Sequence, residues 1–232
     1  MDAWTTTNSV QTADRVSAFL WKVYGWMALG LGLTAMVAFA VAGSPDVQRV
    51  LVGNRLVFFA LVIAQLGLVF YLSARADRLA PGTAAGLFAI YSALTGVTLS
   101  VILLVYTGES VTMTFVVTAG MFGALALFGS TTKRSLAGAG QFFMMGLIGL
   151  ILASIIGMFW HNDALQFLIS VVGVIVFTGL TAYDTQRIKE MYYAGDGHEV
   201  AGKKAIMGAL RLYLDFINLF MMLLQLMGTR RN

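Results

Sequence analysis

The stretch Ala209–Phe220, ALRLYLDFINLF, decides how this chain is read. It lies within an apolar segment, Ile206 to Met227, long enough to cross a bilayer, which takes about 20 residues. Yet it carries Arg211 and Asp215 four residues apart, with Asn218 three further on. A charge at the bilayer centre costs roughly 2.5–3.5 kcal/mol on insertion scales, so such residues face the protein interior. Arg211, Asp215, Asn218 and Gln225 fall at helical offsets 0, 4, 7 and 14. At about 3.6 residues per turn they make one stripe roughly 80° wide. The segment is a helix with one polar seam and an otherwise apolar surface. That suits a helix enclosed by others, or one lining a wet path.

Composition points the same way. Of 232 residues, 59% are hydrophobic and only 11% charged, against about a quarter charged in a soluble domain. A chain of this length has no water-soluble core that could use so much apolar surface, so it reads as an integral membrane protein. With no cysteine, a disulfide, a thiolate metal site and a cysteine nucleophile are all excluded. The net charge of +4 reads as orientation information, not as a nucleic-acid patch. Residues 1–19 are polar and mixed in charge, unlike a secretory signal. They read as a retained, loosely ordered cytoplasmic segment with a short interfacial helix around Ala13–Leu20.

Residues 20–229 hold seven candidate spans. They are Val23–Gly43, Leu56–Ala74, Ala84–Tyr106, Val111–Gly129, Leu136–Trp160, Ala164–Tyr183 and Ile206–Met227. None alternates apolar and polar residues as barrel strands do, so the fold is all-α. Lysine and arginine near the spans set the orientation. With a cytoplasmic N-terminus, ten fall inside: Arg15, Lys22, Arg75, Arg78, Lys133, Arg134, Arg187, Lys189, Lys203 and Lys204. Four fall outside: Arg49, Arg55, Arg230 and Arg231. Seven full spans then leave the C-terminus outside, whereas a re-entrant last segment returns it to the cytoplasm. Small residues at helical spacing, Ser92–Gly96–Ser100 and Gly149–Ala153–Gly157, read as close packing within the bundle.

In this topology Asp184, in GLTAYDTQRIK (Gly179–Lys189), lies at the same end of the bundle as Asp215. The two reach similar depth if the sixth helix continues past Tyr183. Two carboxyls brought together out of water share a proton and titrate as a unit, which makes a pH-sensitive element. When deprotonated they offer oxygen ligands to a hard cation such as calcium. The competing reading is an ion pair between Arg211 and Asp215 along one helix. Arg75, in YLSARADR, reads either as a snorkelling cation or as a group that pairs with one of these aspartates in one state and releases it in another. Gln65 lines a path or bonds a neighbouring helix. Glu109 and Asp163 read as solvated acids at the outer mouth. His161 and His198 have no second ligand at zinc spacing.

The motifs ALRLYLDFINLF and GLTAYDTQRIK, with SARADR and TGVTLSVIL (Thr95–Leu103), resemble those of the Bax inhibitor-1, or transmembrane Bax inhibitor motif, family. The resemblance runs from about Arg15 to Gly228. It implies seven helices, with two three-helix layers around a central C-terminal helix. It also implies a paired-aspartate pH sensor, mapped to Asp184 and Asp215, and a second-span arginine latch, mapped to Arg75 with Arg78 as the fallback. A second-span acid found in some members is replaced here near Gln65. Bacterial members resemble pH-regulated calcium leak channels of the inner membrane; others resemble modulators of a membrane-bound AAA protease.

Three function classes follow. The first is a calcium-permeable leak pathway set by the Asp184–Asp215 pair, with Arg211, Asn218, Gln225 and Gln65 along its lining. The second is a regulatory binding protein without transport. The third, an intramembrane aspartyl protease, shares a Tyr-Asp pair at Tyr183–Asp184. It fails at the second aspartate, where Leu212 and Leu214 stand in place of the glycines that chemistry needs. The chain therefore reads as a non-enzyme, with no cofactor beyond calcium as a permeant or transiently bound ion.

Overall fold

A computed structural model describes residues 3–76, 78–160, 162–193 and 195–231. Among them are eight helices and no β-strand: α1 (Ala3–Ala42), α2 (Pro45–Gly53), α3 (Arg55–Ala74), α4 (Pro81–Val105), α5 (Gly108–Thr131), α6 (Ala137–Phe159), α7 (Asp163–Glu190) and α8 (His198–Met227). All but α2 are long and apolar enough to span a membrane. The seven expected spans are therefore present, and the fold is that of an all-α membrane protein.

Three boundaries differ from expectation. The helix around Ala13–Leu20 is not separate but continuous with the first span in a 40-residue α1. The connection after it holds α2, which has Pro45 in its first turn and Asp46 near its positive end. At nine residues it is too short to register as a span. Finally, α7 runs on to Glu190 and α8 begins at His198, because charged helical turns outside the apolar stretch are invisible to a hydropathy reading.

The contacts divide the chain into two compact units. The first comprises residues up to Val105 with Ile188–Leu210. Within it α1 and α4 approach at backbone distance: a Cβ on Gly96 would overlap the Thr34 carbonyl and Val37. Thr34 Oγ1 donates across the same seam to the Ser92 carbonyl at 2.8 Å. The Ser92–Gly96 stripe thus packs inside the unit, as small residues in membrane helices do. Gly149 of the other stripe meets open space instead.

The second unit comprises Tyr106–Arg187 and Arg211–Asn232. Its apolar core joins α6, α7 and α8 through Leu150, Ile169, Val176, Phe177, Leu180, Leu219 and Leu223. Phe216 adds edge-on ring contacts with Phe115 and Phe122, both at 5.5 Å. Glycines set how close α7 comes. A Cβ on Gly129 of α5 would overlap the Ala182 carbonyl, one on Gly140 of α6 would meet the Tyr183 ring, and one on Gly179 would meet Phe143. Past α8 the chain pairs with the α4–α5 connection: Thr107 N donates to Thr229 O at 3.0 Å, and Tyr106 bridges Arg230. The last helix is continuous from His198 to Met227 and is long and apolar enough to cross a membrane.

Candidate functional site

The polar seam of α8 faces α7. Asp184 stands one helical turn past Leu180 on α7, and Asp215 one turn before Leu219 on α8, so both acids border the apolar core. Each is only 5% exposed. The two carboxyl groups lie close enough to act on each other as charges. Asp215 Oδ2 has no hydrogen-bond partner among the described residues. A buried polar atom left without a partner costs on the order of 1–3 kcal/mol.

Arg211 is the cation at this site. Its Nη1 lies 3.3 Å from Asp184 Oδ1 on the neighbouring helix. The i,i+4 pair with Asp215 is not the one formed. A helical side chain leans toward its own N-terminus, which carries Arg211 away from Asp215. Arg211 also acts on Asp215 at longer range, and Arg187 on Asp184. Arg187 itself donates to Tyr183 Oη at 2.9 Å. Arg211, the two acids and the tyrosine-held Arg187 together make a charge cluster at this end of the α7–α8 contact.

Three polar groups, Gln186, Gln166 and Ser170, carried no signal in the sequence. Gln186 donates to the Arg134 carbonyl at 2.9 Å and accepts from Leu136 N at 2.7 Å. It staples the α5–α6 connection to α7 two residues from Asp184. At the other end of the seam, Gln225 Oε1 accepts from Gln166 Nε2 at 2.6 Å and from Ser170 Oγ at 2.9 Å. Single polar residues on apolar helices carry no spacing signal, so only tertiary structure identifies their partners. Beside Gln225 opens a cavity of about 380 Å³, lined in part by Tyr106, Asp163, Gln166 and Arg230.

The remaining candidates are placed as follows. Asn218 donates to the Leu214 carbonyl of its own helix at 2.8 Å. Gln65 donates to Thr98 Oγ1 at 2.7 Å, joining α3 to α4 in the first unit. Arg75 also belongs to the first unit, exposed at the C-cap of α3, where its N–H donates to the Tyr71 carbonyl. Arg78 is exposed beyond it, and Glu109 is exposed in the first turn of α5. His161 lies outside the described residues. Among the described residues no group of three or more His, Cys, Asp or Glu side chains is arranged to hold a metal ion. Asp184 and Asp215 supply two carboxyls, well short of the six to eight oxygens of a resident calcium site.

A family model described as inhibitor of apoptosis-promoting Bax1 matches residues 16–232. The chain belongs to the Bax inhibitor-1 family. It is 50% identical to inner membrane protein YbhL of Escherichia coli K12 over the full length of both chains. It is 44% identical to an uncharacterised protein of Borreliella burgdorferi, over 92% of this chain and 93% of that one. A Rickettsia prowazekii protein, RP147, is 42% identical over 98% and 97%. The Bax inhibitor-1 match takes in all seven spans and both buried aspartates.

Proposed function

We propose that the protein is a pH-sensitive cation leak pathway of a bacterial inner membrane, with calcium as its permeant ion. The observation that carries the reading is that Asp184 and Asp215, both buried, sit at one charge cluster, with Arg211 bonded to Asp184 and one oxygen of Asp215 left without a partner among the described residues. Two such groups share a proton and respond to pH as a unit. With the pair protonated, the α7–α8 contact is close to neutral and the apolar core beside it stays dry. With the pair deprotonated, two negative groups repel each other and attract cations, which favours separation of the helices. Arg211, bonded to Asp184, tunes that balance. Arg75 is the proposed latch that engages an aspartate in the closed state, as the family resemblance implies. The inner-membrane location rests on the name of the E. coli relative. The cytoplasmic N-terminus rests on the excess of lysine and arginine at that end.

The test is calcium flux into proteoliposomes of the purified protein across a pH series. The reading expects a pH-dependent flux whose pH dependence disappears in Asp184→Asn and Asp215→Asn. Unchanged flux and an unchanged pH profile in both variants would remove the aspartate pair from the mechanism. Absence of flux, with a membrane-bound AAA protease co-purifying in stoichiometric amount, would favour a regulatory binding protein instead.

A further inference from the structure

A second cavity, of about 340 Å³, lies within the first unit, between the start of the α1 span and the α7–α8 connection. Its polar side is formed by Arg15, Lys22, His198 and Asp196, and its apolar side by Phe19 and Tyr192. The acid does not cancel the cations. Asp196 Oδ2 is held by Lys204 Nζ at 2.6 Å, and that ammonium also donates to the Met191 carbonyl. This fixes the connection as one wall and neutralises its acid. Arg15 and Lys22 are seven residues apart, two turns along one face of α1, and both are exposed. His198 opens α8 and lines the same cavity.

The apolar side is equally specific. Phe19 is 4% exposed, and its ring lies 5.7 Å from that of Tyr192. Trp21, two residues on, is 73% exposed, as suits a side chain at the boundary between headgroups and hydrocarbon. The cavity is thus a basic concavity with an aromatic floor, at the level where a membrane helix enters the bilayer. Its ligand must be anionic and accept several hydrogen bonds.

We infer that this cavity binds the phosphodiester headgroup of an anionic membrane lipid, with Arg15 and Lys22 on the phosphate and the Phe19–Tyr192 pair beneath it. The shared chemistry is a phosphate anion, which a lipid or a free phosphate could supply. The position at the start of a span, with the aromatic floor, favours the lipid. Basic residues at a membrane surface attract anionic lipid by an amount that corresponds to roughly 5-fold in affinity for each lysine or arginine.

The experiment titrates purified full-length protein in zwitterionic detergent with a short-chain phosphatidylglycerol, the matching phosphatidylcholine, or inorganic phosphate. Binding is read by native mass spectrometry and by thermal shift. Phosphatidylglycerol should bind in preference to phosphatidylcholine. The double variant Arg15→Gln, Lys22→Gln should bind it roughly 10- to 30-fold more weakly, and Arg15→Lys with Lys22→Arg should restore binding. Removing two charges elsewhere, Lys133→Gln with Arg134→Gln, should leave it unchanged. Equal binding of the two lipids, or equal loss in both glutamine pairs, overturns the site. Inorganic phosphate binding as tightly as phosphatidylglycerol overturns the lipid as occupant.

Discussion

The two ends of the α7–α8 contact use the same pair of helices in opposite ways. At one end Gln225 accepts from both Gln166 and Ser170 on α7, all neutral groups. At the other, Asp184 and Asp215 face each other with Arg211 on one side and an oxygen of Asp215 left unpartnered. Between them lie Leu180, Phe177, Val176, Ile169, Leu219 and Leu223, a dry apolar stretch. Polar groups buried in a membrane protein are tolerated when they are satisfied. At the amide end Gln166 is exposed and Gln225 half-buried, and their bonds with Ser170 act as a fastener. The carboxyl end is satisfied only in part, so its energy changes with a single proton.

Substitutions that treat the two ends alike should therefore give unlike results. The largest effect on stability is expected from Arg211→Met. It removes the bonded cation from a buried acid and should cost about 2 kcal/mol in detergent, read as a lowered Tm. Gln225→Leu should cost less, about 1 kcal/mol, because Ser170 keeps a second acceptor in the Gln166 carbonyl. It should leave the pH profile of flux in place. Asp215→Asn should not lower Tm at all, since an amide of the same shape replaces a buried acid that lacks full partners. A Tm loss in Asp215→Asn as large as that in Arg211→Met would mean the carboxyl end is a structural ion pair, and the contrast would collapse. The smallest effect is expected from Asn218→Leu, within about 0.5 kcal/mol, because Asn218 is satisfied by its own helix.

The spans were legible because hydropathy over about 20 residues needs no tertiary knowledge. The seam was legible for a related reason: four polar residues at helical spacing on a greasy segment leave few arrangements open. The partner of Arg211 was not legible. Spacing along the chain offered Asp215, while the lean of the side chain and the approach of α7 gave it Asp184. That approach depends on Gly129 and Gly140, where the missing Cβ atoms admit the Ala182 carbonyl and the Tyr183 ring. Nothing in the sequence distinguishes them from Gly120 and Gly123, which meet open space. Gln186 and Gln166 were silent for the same reason, since a lone amide acquires meaning only from what it touches. α2 was missed because nine residues carry too little periodicity beside the spans that flank it.

The central claim, that the carboxyl end of the α7–α8 contact senses protons for the pathway, is tested most directly by calcium flux across a pH series. Wild type, Asp184→Asn, Asp215→Asn and Gln225→Leu would be compared in the same proteoliposomes. The account predicts a pH-dependent flux in wild type and Gln225→Leu, and a flat profile in both asparagine variants. A pH profile in Asp184→Asn and Asp215→Asn that overlays wild type would contradict it.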